Sequence, residues 1–489
     1  MEYKVKNKKW DDDDFFKLRE KVLAMWPSGQ EVDLAEAFEY HKRLPEHKIL
    51  YRVVERLREK NEMIVFPRAG TPILEQEIEL NKTLVEAGLK IIPVTPDSFC
   101  RLGRYDRANA GLEDSIKEGI PKLNGFPTVI HGVKKTREVV VATEAALNQR
   151  LTNVGGIRLM AEIAFASGMT GALADPLITF GWYEKTSTPQ QCFKEYQYVY
   201  KLIGKYAEEG IIITIDLDGI GTNMQFPLTP CIVSNIVCAL LAAEQGVKAI
   251  IPWANIYGNL AQDVAGVKLM EAMVREYLDK FGHSDVKIPG IFPAQIPLFP
   301  YPQDMGMAFG FLCYSAMVAA LGSGEAVYLR SIDEGAGIPT KEAHAVSYRA
   351  AKWIFDVVRQ QQIEIDFNEV KDEERIMEIE VRSLMDRILE LGDGDVAVGF
   401  ELAVKGGVYD LPLCGNVNVR NQVLGIRDLK GACRYLDFGD LPFPNEVKEF
   451  HREKIREREV AEGRKMDLKR IIDDFWAFSK GKLIGGNTV

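Results

Sequence analysis

Short apolar runs rich in β-branched residues alternate with amphipathic stretches through much of the chain. Seven of these runs predict strands, at 63–67, 90–95, 127–133, 211–217, 248–253, 286–292 and 326–330. Two weaker runs, at 146–150 and 171–175, raise the number of strand candidates to nine. The stretches between them predict helices, for example at 74–87, 190–209, 231–245, 259–281 and 303–321. Strands and helices that alternate at this spacing indicate a parallel α/β fold.

A (β/α)8 TIM barrel is the expected architecture, although nine candidates exceed its eight strands by one. A Rossmann sheet would carry GxGxxG after its first strand, whereas the first strand here runs into PRAG at 67–70. We predict an N-terminal helical segment at 1–60, the barrel at 61–345 and a C-terminal extension at 346–489. The extension is expected to contain charged helices at 345–362 and 369–391, a Gly-rich, helix-poor stretch at 392–444, and a helical tail at 445–480.

The amino-acid composition argues against several classes of function. The 489 residues are 46% hydrophobic, and 61 Lys and Arg against 71 Asp and Glu give a net charge of −10. Without a long basic stripe, this charge argues against nucleic acid as a partner. No apolar run approaches the roughly 20 residues of a membrane span, and the N-terminus lacks the apolar region of a secretion signal. Seven scattered cysteines without CxxC spacing predict neither disulfides nor a zinc site, so the cytoplasm is the expected compartment.

Arginines follow several of the predicted strands. Arg68 follows the first strand, Arg101 the second, and Arg150 closes the run at 146–150. Because active sites of α/β barrels lie at the carboxyl ends of the strands, these three side chains are expected at one mouth. Three guanidinium groups there would bind a small polyanion, since each can form paired hydrogen bonds to a carboxylate. For any one of them alone, a surface role is the simpler interpretation.

Other polar residues leave their roles open. His131 is expected near a strand end, where a structural role is the simpler interpretation and no nucleophile pairs with it. Asp216 and Asp218 follow the run at 211–217 and fit acid, base or metal-ligand roles as well as capping of a turn. Glycine-containing loops at 258–263 and 335–343 have amides that fit an anion, although turn formation explains them equally.

Many separated segments resemble the E (epsilon) component of glutamate mutase, also called methylaspartate mutase, along nearly the whole chain. They are KKW at 8–10, WPSG at 26–29, PRAG at 67–70, LNGFP at 123–127, LLAAEQGVK at 240–248, GN at 258–259, QD at 262–263, PQD at 302–304, GIPTKEA at 337–343, RYLDFG at 434–439 and GKLIG at 481–485.

The resemblance implies a (β/α)8 barrel whose mouth is covered by adenosylcobalamin. In this family the cofactor is held mainly by a small S (sigma) subunit in an E2S2 assembly. Cobalt–carbon homolysis gives a 5′-deoxyadenosyl radical, which takes a hydrogen from the substrate and starts a carbon-skeleton rearrangement of glutamate to 3-methylaspartate. This chain lacks DxHxxG, the lower-ligand motif of cobalamin domains, so the resemblance requires a separate cobalamin-carrying partner.

The resemblance also assigns roles to individual positions. Arg68, Arg101 and Arg150 match the family's three arginines for the substrate carboxylates, the same three that the strand positions predict. Three further residues match the family's substrate site: Tyr183, Asn148 in place of a glutamine, and Thr179 in place of a tyrosine. Four match its cofactor site: Gly70, Asn124, Glu334, and Arg330 in place of a lysine.

One departure bears on the substrate. The family glutamate that binds the substrate ammonium and is proposed as a base matches Leu173 here, so no catalytic residue is assigned. Leucine cannot accept a hydrogen bond, and an unpaired ammonium in a closed site costs several kcal/mol. We therefore expect a radical mutase acting on a small dicarboxylate without an amino group.

Three alternatives stay open. The first is glutamate mutase proper, with the amine held by Asp175 or another acid. The second is a non-catalytic barrel that binds a dicarboxylate or a partner subunit. The third, a barrel lyase or aldolase, would need a Schiff-base lysine or metal ligands at strand ends, and neither stands out.

Overall fold

A parallel β-sheet organises the molecule. The structure, a computed structural model, describes residues 5–66, 70–220, 226–294, 301–328, 330–336, 340–363, 365 and 367–486. Its eight parallel strands are β1 (Ile64–Phe66), β2 (Ile91–Val94), β3 (Ala146–Leu151), β4 (Gly171–Ala174), β5 (Thr214–Leu217), β6 (Ala249–Asn255), β7 (Phe292–Ala294) and β8 (Ala326–Tyr328). They form one sheet in the order β1-β8-β7-β6-β5-β4-β3-β2.

This strand order confirms the parallel α/β fold and is incompatible with a doubly wound Rossmann sheet. Each strand from β3 to β7 pairs with its predecessor and its successor in the chain, and β8 pairs with both β7 and β1. A Rossmann sheet instead reverses its strand order at a switch point. Among the described residues, no β1–β2 ladder closes the sheet, although residues of the two strands contact one another.

Eighteen α-helices accompany the strands over the described residues. They are α1 (Asp12–Leu23), α2 (Leu34–Lys42), α3 (Leu50–Glu59), α4 (Leu74–Glu86), α5 (Ser98–Arg101), α6 (Tyr105–Glu118), α7 (Thr128–Ala142), α8 (Ile157–Ala166), α9 (Pro176–Ile178), α10 (Pro189–Glu208), α11 (Thr229–Glu244), α12 (Leu260–Lys280), α13 (Met305–Leu321), α14 (Lys341–Gln360), α15 (Asn368–Leu391), α16 (Val396–Gly406), α17 (Asn445–Glu462) and α18 (Leu468–Phe478). An antiparallel hairpin of β9 (Leu424–Arg427) and β10 (Cys433–Asp437) precedes α17.

Local sequence explains where several helices begin. Thr188 and Gln191 form a capping box at the start of α10, and Asn259 and Asp304 accept backbone amides at the starts of α12 and α13. These caps satisfy amides that the first helical turn leaves unpaired. Over the described ranges, no helix combines the length and hydropathy that a membrane crossing requires.

The sheet has two differently covered faces. Ala172 and Ala174 of β4 join the main hydrophobic core, which includes the apolar faces of α8, α10, α11 and α12. On the opposite face, called the inner face below, α3 packs Leu50 and Val54 against Ile91 of β2, Ala146 of β3 and their neighbours. Helix α3 therefore covers the inner face with apolar side chains near the amino ends of the strands.

The structure corrects one strand prediction. The run at 127–133 begins helix α7, whereas seven other candidates overlap strands of the sheet and the run at 286–292 ends at Phe292, the first residue of β7. Gly132, with a φ of 70°, kinks α7, and beyond the kink buried Val133, Thr136 and Val140 recur at helical spacing. A short apolar run does not distinguish a strand from a buried helix by itself, and Pro127 favours a helix start because it stands just before the first turn.

The helix-poor interpretation of 392–444 is wrong for its first part, where α16 lies. Two glycines explain the loop-like composition of this part. A Cβ on Gly399 would lie 1.9 Å from the carbonyl oxygen of Ile388 in α15, and one on Gly392 would lie 2.1 Å from the carbonyl oxygen of Asp395. Glycine at these positions therefore permits close packing of α15 against α16 rather than a flexible loop.

A buried ion pair joins the last two helices. The Arg458 guanidinium donates to both carboxylate oxygens of Asp474, at 2.5 and 2.7 Å, and both side chains are fully buried. Arg458 also donates to the Arg427 carbonyl at 2.7 Å, which ties α17 to β9. Nε of Arg458 also donates to Glu462 at 2.7 Å, so removing Asp474 would leave the buried guanidinium with only part of its compensation.

We expect Asp474→Ala to lower the free energy of unfolding by about 3 kcal/mol, because buried Arg458 then loses two charged hydrogen bonds and keeps Glu462, 2.7 Å from its Nε, as its remaining carboxylate partner. Glu457→Ala, which breaks the exposed pair of Glu457 with Lys454, serves as the control and should cost less than about 1 kcal/mol. Urea unfolding of both variants measures the difference. Equal losses would show that the buried pair does not stabilise the C-terminal helices.

Candidate functional site

A row of three side chains crosses the inner face near the carboxyl edge of the sheet. Arg150 of β3 is in register with Leu173 of β4, and Leu173 is in register with Asp216 of β5. Registered residues of neighbouring strands project to the same face, so Leu173 lies between a guanidinium and a carboxyl group. All three are buried, and Leu173 joins none of the clusters of packed apolar side chains found among the described residues.

Asn148 lies one layer deeper on the same face. Its Nδ2 donates to Oδ1 of Asp216 at 2.5 Å, and its Oδ1 accepts from the Leu173 backbone amide at 3.2 Å. The predicted substrate-site asparagine therefore orients the Asp216 carboxyl and fixes β4 at the same time. The other oxygen of Asp216, Oδ2, is buried and has no hydrogen-bond partner among the described residues.

Asp218 follows β5 and shares the Arg150 guanidinium with Asp216. One Asp218 oxygen lies 3.9 Å from Nη2 of Arg150, and Oδ1 is buried without a hydrogen-bond partner among the described residues. Burial raises the pKa of Asp216 to about 6 and that of Asp218 to about 7, although Arg150 opposes both shifts. Asp218 is therefore poised to hold or release a proton near neutral pH.

Arg101 reaches the same edge of the sheet from the end of helix α5. Its Nη1 donates to Oγ1 of Thr152 at 3.3 Å and to Oδ1 of Asn153 at 3.4 Å, just beyond the end of β3. The guanidinium carbon lies 5.8 Å from the centre of the Tyr183 ring, within range of a cation–π contact. The structure thus brings Arg101, Arg150 and Tyr183 to the carboxyl end of β3, whereas Arg68 lies outside the described residues.

Thr179 is placed differently from Tyr183. A helical turn at Thr179–Tyr183 carries both residues. The Thr179 hydroxyl lies 2.5 Å from the Tyr196 hydroxyl, which in turn donates to the Leu151 carbonyl at 2.8 Å. Thr179 is fully buried in this network, so its contact to a substrate stays a prediction.

Two of the four residues predicted to bind the cofactor form a pair. Nη1 of Arg330 donates to Oε1 of Glu334 at 2.7 Å, and Arg330 is buried. Glu334 keeps a second oxygen, Oε2, which is buried and accepts no hydrogen bond among the described residues. The positive charge of Arg330 also lowers the pKa of Asp218, so this pair lies near the carboxyl groups described above. A buried acceptor beside a guanidinium suits a ligand with neighbouring hydroxyl groups, as a ribose has.

Local structure explains the residue types of Gly70 and Asn124, the other two residues predicted to bind the cofactor. A Cβ on Gly70 would lie 2.5 Å from the Thr95 carbonyl oxygen, so only glycine fits there. Asn124 is exposed, and its Oδ1 accepts from the Ser98 amide at 2.9 Å. These contacts account for both residue types without a ligand, and their cofactor roles remain predictions.

Asp175 is committed to the backbone. Its carboxylate accepts from the amides of Leu177, Ile178 and Gly219 at 2.7 to 3.0 Å, and from Sγ of Cys238 at 3.3 Å. Burial raises its pKa in spite of these donors. A carboxylate with this many internal donors has little capacity left for a substrate ammonium, which argues against Asp175 in that role.

His131 and the 258–263 loop are structural. His131 lies within α7 rather than at a strand end, bonds to the Pro72 carbonyl at 2.8 Å and stacks on Phe126. Burial lowers its pKa to about 4, which keeps it neutral at physiological pH. In the loop, the Asp263 carboxylate accepts the amides of Tyr257 and Gly258, so those amides are not available to an anion.

Sequence reasoning missed two features of the site. Trp253 of β6 is fully buried, and its ring centre lies 5.6 Å from the Arg150 guanidinium carbon. Glu184 accepts from the Val154 amide at 3.0 Å and so joins the loop after β3 to the segment after Tyr183. Trp253 occupies the end of a predicted strand and could have been included by the rule that selected the arginines. Glu184 carries no such signal.

The raised pKa of Asp218 predicts a pH dependence of stability. Because its folded-state pKa lies above the ordinary value of 3.8, the folded chain binds more protons than the unfolded chain between about pH 4 and 7, and stability falls as pH rises. We expect Asp218→Asn to remove part of this fall, so that its stability relative to the unmodified chain improves by about 2 kcal/mol from pH 5 to 8. Parallel stability curves over this range would contradict the assignment.

Comparison with known proteins adds a family to this geometry. Residues 44–487 match the family model described as methylaspartate mutase E chain. Proteins described as glutamate mutase epsilon subunit are similar over 98% of this chain: one from Desulfitobacterium hafniense at 36% identity, with 98% of that protein covered, one from Yersinia enterocolitica at 35%, with 99% covered, and one from Treponema denticola at 34%, with 98% covered.

Among solved structures, a DAHP synthase from Thermotoga maritima matches 62% of this chain and 72% of its own at 9% identity and a TM-score of 0.35. This likeness is too distant to support a conclusion. The family match extends over most of the chain, and the curated relatives match it nearly from end to end. The chain therefore belongs to the methylaspartate mutase E chain family, and its activity class is that of a mutase, an isomerase.

Proposed function

We propose that this chain is the catalytic subunit of an adenosylcobalamin-dependent mutase that rearranges the carbon skeleton of a small dicarboxylate. The observation that supports this most directly is the placement of Arg101 and Arg150 at the carboxyl end of β3, beside carboxyl groups with raised pKa values. Two guanidinium groups at one edge of a sheet suit an anion with two carboxylates. Arg68 is proposed as the third arginine of this group.

The proposal divides the work between the cofactor and the chain. When bound, adenosylcobalamin supplies the organic radical that takes a hydrogen from the substrate. The chain would bind and orient the carboxylates with Arg101, Arg150 and Tyr183, while buried Leu173 and Trp253 limit water beside the reacting carbons. Asp218 would hold a proton when a dianion binds, since its neutral form leaves the positive charge of Arg150 to the ligand.

The cofactor proposal rests on Arg330 and Glu334. Their buried pair and the available Glu334 oxygen fit a ribose, with Gly70 and Asn124 as further proposed contacts. The missing DxHxxG motif supports a separate cobalamin-carrying S-type subunit, which we propose to join two copies of this chain in an E2S2 assembly.

Three further proposals concern the fold, the domains and the compartment of the chain. The contact between β1 and β2 supports closure of the sheet into a (β/α)8 barrel, the fold on which a cofactor could cover the mouth. We also propose the division into 1–60, 61–345 and 346–489. We further propose the cytoplasm as the compartment of this chain, since seven free thiols suit a reducing environment.

The arginine proposal can be tested on the chain without its cofactor. We expect Arg101→Met and Arg150→Met each to weaken glutarate binding about 30-fold or more, because each removes a charged hydrogen-bond donor. Arg104→Met is the matched control, since Arg104 is exposed three residues from Arg101. Titration calorimetry measures the dissociation constants. Unchanged binding in either site variant would remove that arginine from the substrate site.

The position of Leu173 generates a prediction about the amino group. A substrate ammonium beside Leu173 would find no carboxylate at that position. Leaving one charge of a buried ion pair without its partner costs about 3–5 kcal/mol of binding free energy. The unmodified chain should therefore bind glutarate at least about 100-fold more tightly than glutamate. Leu173→Glu should reduce this ratio, and Leu173→Met should preserve it.

A second candidate, glutamate mutase proper, is favoured by the registration of Asp216 beside Leu173 and by its buried Oδ2 without a hydrogen-bond partner among the described residues. Asp216 could hold the ammonium in place of the missing glutamate. In that case, glutamate binds tightly to the unmodified chain, and Asp216→Asn weakens glutamate much more than glutarate. Tight glutamate binding that Asp216→Asn leaves unchanged would contradict this candidate.

A further inference from the structure

A loop of the C-terminal region, residues 411–421, packs on the segment 180–187 that carries Tyr183. Asn416 is the centre of this contact and is 1% exposed. Its Nδ2 lies 3.0 Å from the Phe180 carbonyl, 3.1 Å from the Glu184 carbonyl and 2.9 Å from the Ser187 carbonyl. One side-chain amide is thus shared among three carbonyls of a segment more than 220 residues away in the chain.

The segment needs partners of this kind. The turn at Thr179–Tyr183 ends without continuing into a helix, so its last carbonyls have no partner in a following turn. The 411–421 loop supplies donors to this segment: Sγ of Cys414 donates to the Gly181 carbonyl of the turn at 3.3 Å, and the Val417 amide donates to the Lys185 carbonyl just beyond it at 2.9 Å. The backbone around Tyr183 is therefore fixed largely by a distant part of the chain.

The segment also contacts the substrate-binding arginine by two routes. The Tyr183 ring lies 5.8 Å from the Arg101 guanidinium carbon. Glu184 accepts from the Val154 amide at 3.0 Å. Asn153, which precedes Val154, accepts from Nη1 of Arg101 at 3.4 Å. A shift of the segment would consequently move both the ring beside Arg101 and the loop that holds its guanidinium.

We propose that Asn416 is a positioning residue of the substrate site, which orients Arg101 through Tyr183 and Glu184. This inference rests on the proposed function, since it assigns the site's geometry to a residue that does not touch substrate. It also gives the C-terminal region a role at the site. Misplacement of a binding group by about 1 Å costs up to 100-fold in a positioned reaction, so the loss of Asn416 should be measurable in binding.

The test measures glutarate binding by titration calorimetry with the full-length chain. We expect Asn416→Ala to raise the dissociation constant about tenfold, as a partial loss of orientation would. Asn81→Ala is the matched control, because Asn81 is also a buried asparagine with one side-chain donor contact, to Thr143 in another part of the fold. It should leave the dissociation constant unchanged even if it lowers the melting temperature.

A double-mutant cycle separates positioning from general stability. If Asn416 acts through Arg101, the double variant Arg101→Met, Asn416→Ala should bind glutarate only slightly more weakly than Arg101→Met alone. If the two residues act independently, their losses of binding free energy should add. Should Asn416→Ala fail to fold, Glu184→Ala interrupts the next link and is expected to give a similar loss of affinity.

The outcomes are distinguishable from those of the proposed function. If the unmodified chain binds neither glutarate nor glutamate, the proposed substrate site fails and the inference fails with it. If the unmodified chain binds glutarate but Asn416→Ala, or Glu184→Ala in its place, binds equally well, the proposed function stands and the positioning role is wrong. Additive losses of binding free energy in the double-mutant cycle would also contradict the positioning role.

Discussion

The Arg150 guanidinium is buried near two carboxyl groups, and the organisation of the site follows from this arrangement. Asp216 and Asp218 lie at and beyond the end of β5, and both would be costly to ionise without a nearby positive charge. Arg150 offsets that cost, and Asn148 fixes one of the two carboxyls. The raised pKa values show that the compensation is incomplete. In the proposed substrate site, this balance would let an anionic ligand bind with protonation of Asp218 and without rearrangement of the hydrogen bonds.

The sheet makes this arrangement possible because its inner face changes character along the strands. Near the amino ends, α3 covers the face with Leu50 and Val54, and towards the carboxyl ends the same face carries Arg150 and Asp216. Leu173 is the exception within the polar row. Its position between opposite charges makes it the residue that bears most directly on whether the ligand carries an amino group.

Much of the fold could be predicted from the sequence, because strand and helix periodicity is local. The error at 127–133 arose because a short apolar run fits either a strand or a helix, and the error at α16 because glycines that allow close helix packing resemble those of a loop. For the site, the rule that strand ends carry function selected Arg101 and Arg150. It could not select Asn416 or Glu184, whose contacts join segments that lie far apart in the chain, nor show that backbone amides occupy Asp175.

The most direct test of the central claim is transfer of label from adenosylcobalamin, tritiated at the carbon bonded to cobalt, into a dicarboxylate in the presence of this chain and a cobalamin-carrying partner subunit. The account predicts that label enters glutarate or glutamate only when both proteins are present, and that Arg150→Met abolishes the transfer. Absence of transfer to any small dicarboxylate, with the cofactor bound and the assembly formed, would contradict the account and support a non-catalytic role for the chain.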